Sequence, residues 1–279
     1  MENLTVIVSG GSRGIGKAIA LKCAQNGANV AILAKTVTPH PRLPGTIYSA
    51  CEEINHNCNR DCAFPVACDL RSHEQISDGV AAVMRRFGRI DVVVNNASAI
   101  HLASTVDCLV KKYDLMQAVG PRGTYLLTQA CLQHLSNTNQ QLKHIVCISP
   151  PLTLKTEHFA NHVAYTTAKY GMSMAVLGWA GEYAGRTAVN AMWPRTMINT
   201  AALTVIDGIS TESKRSRTVD IMADAVYNLL LEPVSFTGNF LIDEAYLAGK
   251  GVNDFSKYKT DPECREEDLI PDLFLPEKI

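Results

Sequence analysis

Short apolar runs rich in Val, Ile and Leu recur at residues 4–9, 29–33, 63–67, 90–95, 144–149, 189–193 and 239–242. Helical patterns lie between them, at 14–26, 46–57, 72–87, 109–118, 123–135, 162–183 and 218–231. This alternation constrains the chain more than any other feature. A strand that reaches its neighbour through a helix runs parallel to it, so the pattern predicts an α/β fold with a doubly wound parallel sheet of about seven strands. Runs such as Asp91-Val92-Val93-Val94 lack polar alternation, as expected where helices cover both faces of the sheet.

Composition removes several function classes. Lys and Arg number 26 against 27 Asp and Glu, for a net charge of −1, so no global field exists for nucleic acid or anionic membrane. With 47% hydrophobic residues the chain can fill a core, yet no apolar run approaches the ~18–20 residues of a membrane span. The nine cysteines contain no Cys-x-x-Cys pair, and Cys51, His56, Cys58, Cys62 and Cys68 match no zinc spacing, so no metal is expected. Reduced thiols and an opening without a basic region predict a cytoplasmic protein. Residues 1–245 read as one domain. Residues 246–279, charged and broken by Pro262, Pro271 and Pro276, read as a tail packing on or extending from it. Residues 36–45, with Pro39, Pro41 and Pro44, read as a loop.

The first strand runs into Gly10-Gly11-Ser12-Arg13-Gly14-Ile15-Gly16 and then a helix. Glycines there allow a tight turn and let a pyrophosphate approach the backbone, with helix N-terminal amides meeting the anion. This is the signature of a Rossmann-type dinucleotide site. The second strand ends in Ala34-Lys35-Thr36, with no carboxylate before Glu52 to hold a ribose 2′-hydroxyl. Lys35 and Arg13 instead make a cationic pair suited to a 2′-phosphate, which favours NADP(H).

His162-Val163-Ala164-Tyr165-Thr166-Thr167-Ala168-Lys169 opens a long helix and sets Tyr165 and Lys169 at i and i+4, on one face. A free Tyr is a poor base near neutrality, but a neighbouring ammonium and a cationic nicotinamide favour phenolate. Asn95-Asn96-Ala97-Ser98, Cys68-Asp69-Leu70 and Trp193-Pro194-Arg195-Thr196 all follow strand C-termini, where open α/β sheets bind ligands. With these motifs in this order, residues 4–245 resemble the short-chain dehydrogenase/reductase family. Residues 9–16 stand for Thr-Gly-x-x-x-Gly-x-Gly, residues 95–98 for Asn-Asn-Ala-Gly, and Tyr165 with Lys169 for Tyr-x-x-x-Lys. Ala34-Lys35-Thr36 and Ile148-Ser149-Pro150-Pro151-Leu152 resemble its hydroxysteroid-dehydrogenase-like branch, whose animal members carry a sterol-carrier domain that this chain ends before.

The resemblance implies that Tyr165 gives or takes the proton and that Lys169 lowers its pKa and binds the nicotinamide ribose. It further implies that Gly10, Ser12, Arg13, Gly14, Ile15 and Gly16 hold phosphates, that Asp69 and Leu70 meet the adenine, and that Asn96 and Ala97 line the adenosine side. Pro194, Thr196, Ile198 and Thr200 would pack on the carboxamide. The family's Asn falls on Gly120, where Gly-Pro should still break the helix, and its carbonyl-polarising Ser falls on Pro150. Ser149 and Thr153 are the nearby hydroxyls, with Ser149 the candidate catalytic group. The implied activity is NADP(H)-dependent interconversion of an alcohol and a carbonyl, on a small-to-medium apolar substrate lined by residues 198–218. A second reading retains NADP(H) binding without catalysis, as a sensor or interaction module. Relatives pair through helices near 123–135 and 162–183, so a homodimer or homotetramer is expected.

Overall fold

The computed structural model describes residues 1–40, 43–135, 142–201, 203 and 212–276. Among these residues there are seven strands: β1 (Thr5–Ser9), β2 (Asn29–Ala34), β3 (Ala63–Ala67), β4 (Val92–Asn95), β5 (His144–Ile148), β6 (Ala188–Trp193) and β7 (Phe240–Ile242). They form one sheet in the order β3-β2-β1-β4-β5-β6-β7, with every pairing parallel. The predicted strands were within two residues of these bounds, because fully buried strands leave continuous apolar runs. Strand order reverses between β1 and β4, and the crevice outside such a reversal is where α/β sheets bind ligands.

The helices are α1 (Gly14–Gln25), α2 (Ile47–Cys58), α3 (His73–Phe87), α4 (Val110–Gln117), α5 (Gly123–Leu135), α6 (Val163–Glu182), α7 (Asp220–Leu229) and α8 (Asp243–Gly249). Alternation along β1 divides the core. Val6 and Val8 pack with Ile19 of α1 and Val226 of α7, while Ile7 packs with Val83 of α3 and Leu127 of α5. Helix α2 starts at a capping box in which Thr46 and Ser49 satisfy each other's backbone amides. Among the described residues, no helix is long and apolar enough to cross a membrane.

Two features depart from the expectation. Gly120-Pro121 does not break the helix; residues Ala118–Arg122 form a π-type turn that carries α4 into α5. A widened turn absorbs a residue lacking an N–H without ending the helix. Gly171 of α6 makes the room, since a Cβ there would stand 2.9 Å from Pro121 Cβ. The second is α8, which had no counterpart in the helical pattern and lies across the expected boundary at 245. Residues 202 and 204–211 of the expected pocket segment lie outside the described residues.

Beyond α8 the tail returns to the sheet. Met197 N donates to Ile270 O at 2.9 Å, Asp272 N to Arg195 O at 3.0 Å, and Trp193 Nε1 to Leu273 O at 2.7 Å. Arg217, 1% exposed, fastens the crossing by donating to Glu244 at 2.8 Å and to Glu266 at 2.7 Å. Glu244 also pairs with Arg195.

Candidate active site

The glycine turn at the end of β1 is shaped by steric necessity. Gly10 and Gly14 have φ of +67° and +56°, and Gly10 has no space for a side chain because a Cβ would lie 2.9 Å from Ala97 Cα. A Cβ on Gly16 would lie 2.5 Å from Asn96 Nδ2 and 2.7 Å from Gly10 O. Asn96 is pinned in turn: its Nδ2 donates to Ser9 O at 3.0 Å and Gly10 O at 3.2 Å. Ser9 Oγ accepts from the amides of Asn96 and Ala97, both at 3.1 Å. Ser9 and Asn96 therefore clasp β1 to β4 beneath the turn. The sequence resemblance places Asn96 along the adenosine and marks Ser9 only as a hydroxyl at the family's Thr position; the clasp they form is a feature of the structure.

These residues fit a dinucleotide. The N-cap of α1 is Arg13, which makes no side-chain cap, and the first turn holds no acidic residue. The leading amides of α1 are thus left for an anion. Ser12 is buried and Ile15 is partly buried against the core. Thr200 approaches from the opposite side, with Cγ2 at 3.4 Å from a Cβ built on Gly14. Thr196 Oγ1 is buried without a partner among the described residues, as a hydroxyl awaiting a ligand would be. Pro194 and Ile198 are buried beside it.

The adenosine end is partly engaged already. Arg13 donates from Nε to Pro44 O at 3.0 Å and from Nη2 to Gly45 O at 2.7 Å. Lys35 is exposed at the end of β2. Asp69 receives Arg71 at 2.9 and 2.5 Å, and this pairing, ahead of the nearby Lys35, holds its carboxyl below the usual range. Leu70 is buried against Gly123 of α5, so its side chain packs in the core.

Tyr165 and Lys169 are both buried on α6, at 5% and 4% exposure. Lys169 Nζ donates to Ile148 O at 3.0 Å and lies 5.1 Å from the Trp193 ring centroid. Burial pulls Lys169 down to about 8, opposed by Asp272 and then Cys147. The phenol does not follow the expected downward direction in this arrangement. Burial pushes Tyr165 above its ordinary value, and the Asp272 carboxylate adds to the effect. Asp272 is itself raised to about 7 by burial, with Asp243 adding and Lys169 opposing. Ser149 Oγ is fully buried with no partner among the described residues, whereas Pro150 O accepts from Ser173 Oγ at 2.7 Å. Gly120 sits against Ala168 and leaves the family's amide position empty of a side chain. Neither Asp272 nor Phe274, which packs on Tyr165, was anticipated from the sequence.

The family pattern described as short chain dehydrogenase matches residues 4–207. The chain belongs to the short-chain dehydrogenase family. It is 51% identical over 278 residues to hydroxysteroid dehydrogenase-like protein 2 of Bos taurus, covering 100% of this chain and 65% of the relative. It thus spans under two thirds of the length of the curated relatives it matches. A short chain dehydrogenase structure from Mycobacterium thermoresistibile has a TM-score of 0.90 at 40% identity, covering 99% of this chain and 96% of that one. A metagenomic short-chain oxidoreductase solved in complex with NADP gives 0.69 at 25% identity, covering 86% and 96%. The doubly wound fold and nucleotide-binding turn of this short-chain dehydrogenase agree with that family, whose fold binds a nicotinamide cofactor.

Proposed function

We propose that the chain is an NADP(H)-dependent oxidoreductase that interconverts an alcohol and a carbonyl on a small-to-medium apolar substrate. The observation that carries the reading is buried Lys169, one helical turn from buried Tyr165, fixed at the C-terminal edge of the sheet by Ile148 O and beside Trp193. The glycine turn, cleared of side chains at Gly10 and Gly16, supports a dinucleotide beside them.

In this reading the bound nicotinamide supplies or accepts the hydride. Tyr165 holds the proton at its hydroxyl and passes it to or from the substrate oxygen. Lys169, fixed by Ile148 O, places a positive charge that favours the phenolate once burial by Asp272 and the tail is relieved. Thr196 anchors the carboxamide. Ser149 is the hydroxyl available to polarise the carbonyl, and its unmet hydrogen-bonding capacity supports that role. Preference for NADP(H) rests on Lys35 and on Arg13, whose Nη1 has no partner among the described residues while Nε and Nη2 bind the 44–45 carbonyls. A relative solved with NADP agrees. All nine cysteines are free thiols, in keeping with a cytoplasmic, reducing environment. Exposed Tyr125, Met174 and Leu177 on α5 and α6 support assembly as a homodimer or homotetramer.

A non-catalytic NADP(H)-binding module is the second reading, favoured by Gly120 in place of the family's Asn and by a Tyr165 that is closed off from solvent. NADPH oxidation over a panel of apolar aldehydes and ketones separates the two. Turnover that collapses in Tyr165→Phe supports the oxidoreductase. Tight NADPH binding without turnover, unchanged by Tyr165→Phe, refutes it in favour of the module.

A further inference from the structure

Tyr165 is 5% exposed, and Phe274, itself 3% exposed, packs against its ring. The Phe274 ring lies 6.0 Å from Tyr165 at an interplanar angle of 31°. It lies 5.9 Å from Trp193 and 5.7 Å from Tyr170. It also stands edge-on to His158 at 6.2 Å and His162 at 5.7 Å. A phenyl ring from the tail is thus boxed by five aromatic rings, and the other five belong to β6, α6 and the segment leading into α6. Nothing in the phosphate turn or the sheet requires a sixth ring there.

The way Phe274 enters is also informative. Its φ is +67°, a conformation that side-chain-bearing residues other than Asn and Asp rarely adopt. The flanking residues are attached to residues 193–197 by a short ladder: Ile270 O with Met197 N, Asp272 N with Arg195 O, and Leu273 O with the Trp193 indole. The same segment carries Asp272, whose charge helps push Tyr165 away from the phenolate. With residues 270–275 in place, the phenol is both covered and electrostatically disfavoured.

We propose that Phe274 is a plug held in the substrate's place: a substrate bearing a flat, phenyl-sized ring one bond from its carbonyl or carbinol exchanges that ring for Phe274 in the box of His158, His162, Tyr165, Tyr170 and Trp193, displacing residues 270–275. The chemical class is therefore aryl aldehydes and arylmethanols. Ring-for-ring exchange conserves the aromatic contacts and presents the oxygen to Tyr165, and the departing segment takes Asp272 with it. The inference rests on the reading of Tyr165 as the group that meets the substrate oxygen.

The test uses the full chain with saturating NADP⁺ and benzyl alcohol as probe, read by the fluorescence of Trp193, which packs on Phe274. Phe274→Gly removes the competing ring while suiting the positive φ, and Phe274→Asn does the same should the glycine variant fail to fold. A plug occupying the box most of the time predicts that either variant binds benzyl alcohol about tenfold tighter or more. Equal or weaker binding overturns the proposal, because Phe274 is then a fixed wall. Absence of binding to any form overturns it as well. The wild type provides a check that needs no variant: benzyl alcohol should speed hydrogen exchange at the Met197 and Asp272 amides, and slowed or unchanged exchange refutes displacement. None of these readouts requires turnover. Exchange of the plug without NADPH formation from NADP⁺ and benzyl alcohol would therefore sink the oxidoreductase reading alone.

Discussion

Gly16→Ala tests whether the clasp beneath the phosphate turn holds that turn in shape. The added methyl would stand 2.5 Å from Asn96 Nδ2 and 2.7 Å from Gly10 O. Neither atom can retreat freely. Asn96 Nδ2 is committed to Ser9 O and Gly10 O, and Gly10 O is part of the turn itself. Displacing Asn96 forfeits two hydrogen bonds at about 0.5–1.5 kcal/mol each. Overpacking adds about 1–3 kcal/mol, while the gain in helix propensity at the start of α1 returns about 1 kcal/mol. The net destabilisation is about 3 kcal/mol, which lowers Tm by roughly 6–12 °C in a chain of this size. NADPH affinity, measured by fluorescence titration of the folded variant, should fall by about tenfold or more because the amides that meet the phosphates move with the turn. A thermal melt within about 2 °C of wild type, together with unchanged NADPH affinity, would refute the argument.

Lys35→Asp should lower NADPH affinity by about a hundredfold and leave NADH little affected, from the loss of one charge-assisted contact and the gain of repulsion. Equal losses for both cofactors would remove the 2′-phosphate assignment. His144 is fully buried, and burial holds it at about 4 against an ordinary 6.5. Its neutral form is kept in the fold while the unfolded chain takes up a proton, so stability is lost as pH falls from 6.5 toward 4, by roughly 3 kcal/mol in full. Asp243 and Asp272, both raised to about 7, work in the opposite sense, so the comparison is with His144→Leu. Urea denaturation at pH 7 and pH 5 should show the wild type losing about 2 kcal/mol more than the variant, and parallel losses would refute the linkage.

Much of the site was legible because its signals are local. Gly10 to Gly16 announce a turn by residue type, and Tyr165 and Lys169 share a helix face by spacing alone. Two other features were not. Ser9 and Asn96 act through a contact across 87 positions, and a Ser at a strand end has no pattern that distinguishes a clasp from a surface hydroxyl. Gly120-Pro121 read as a helix break because Pro lacks an N–H. The π-type turn exists because Gly171, on another helix, leaves room for the ring.

The sequence by itself determined the seven-stranded parallel architecture, the order of its motifs and the position of the phosphate turn, since burial on both sheet faces and the conformational freedom of glycine are written into consecutive residues. Only the tertiary structure decided what stands over Tyr165. Residues 270–275 read Ile-Pro-Asp-Leu-Phe-Leu, a short apolar stretch interrupted by Pro271 and Asp272, and nothing in them marks Phe274 as an active-site residue. Its place is set by hydrogen bonds to residues 193–197 and by an aromatic box assembled from β6, α6 and the segment before α6. A local pattern records which face of an element is buried, but not which distant segment will cover it.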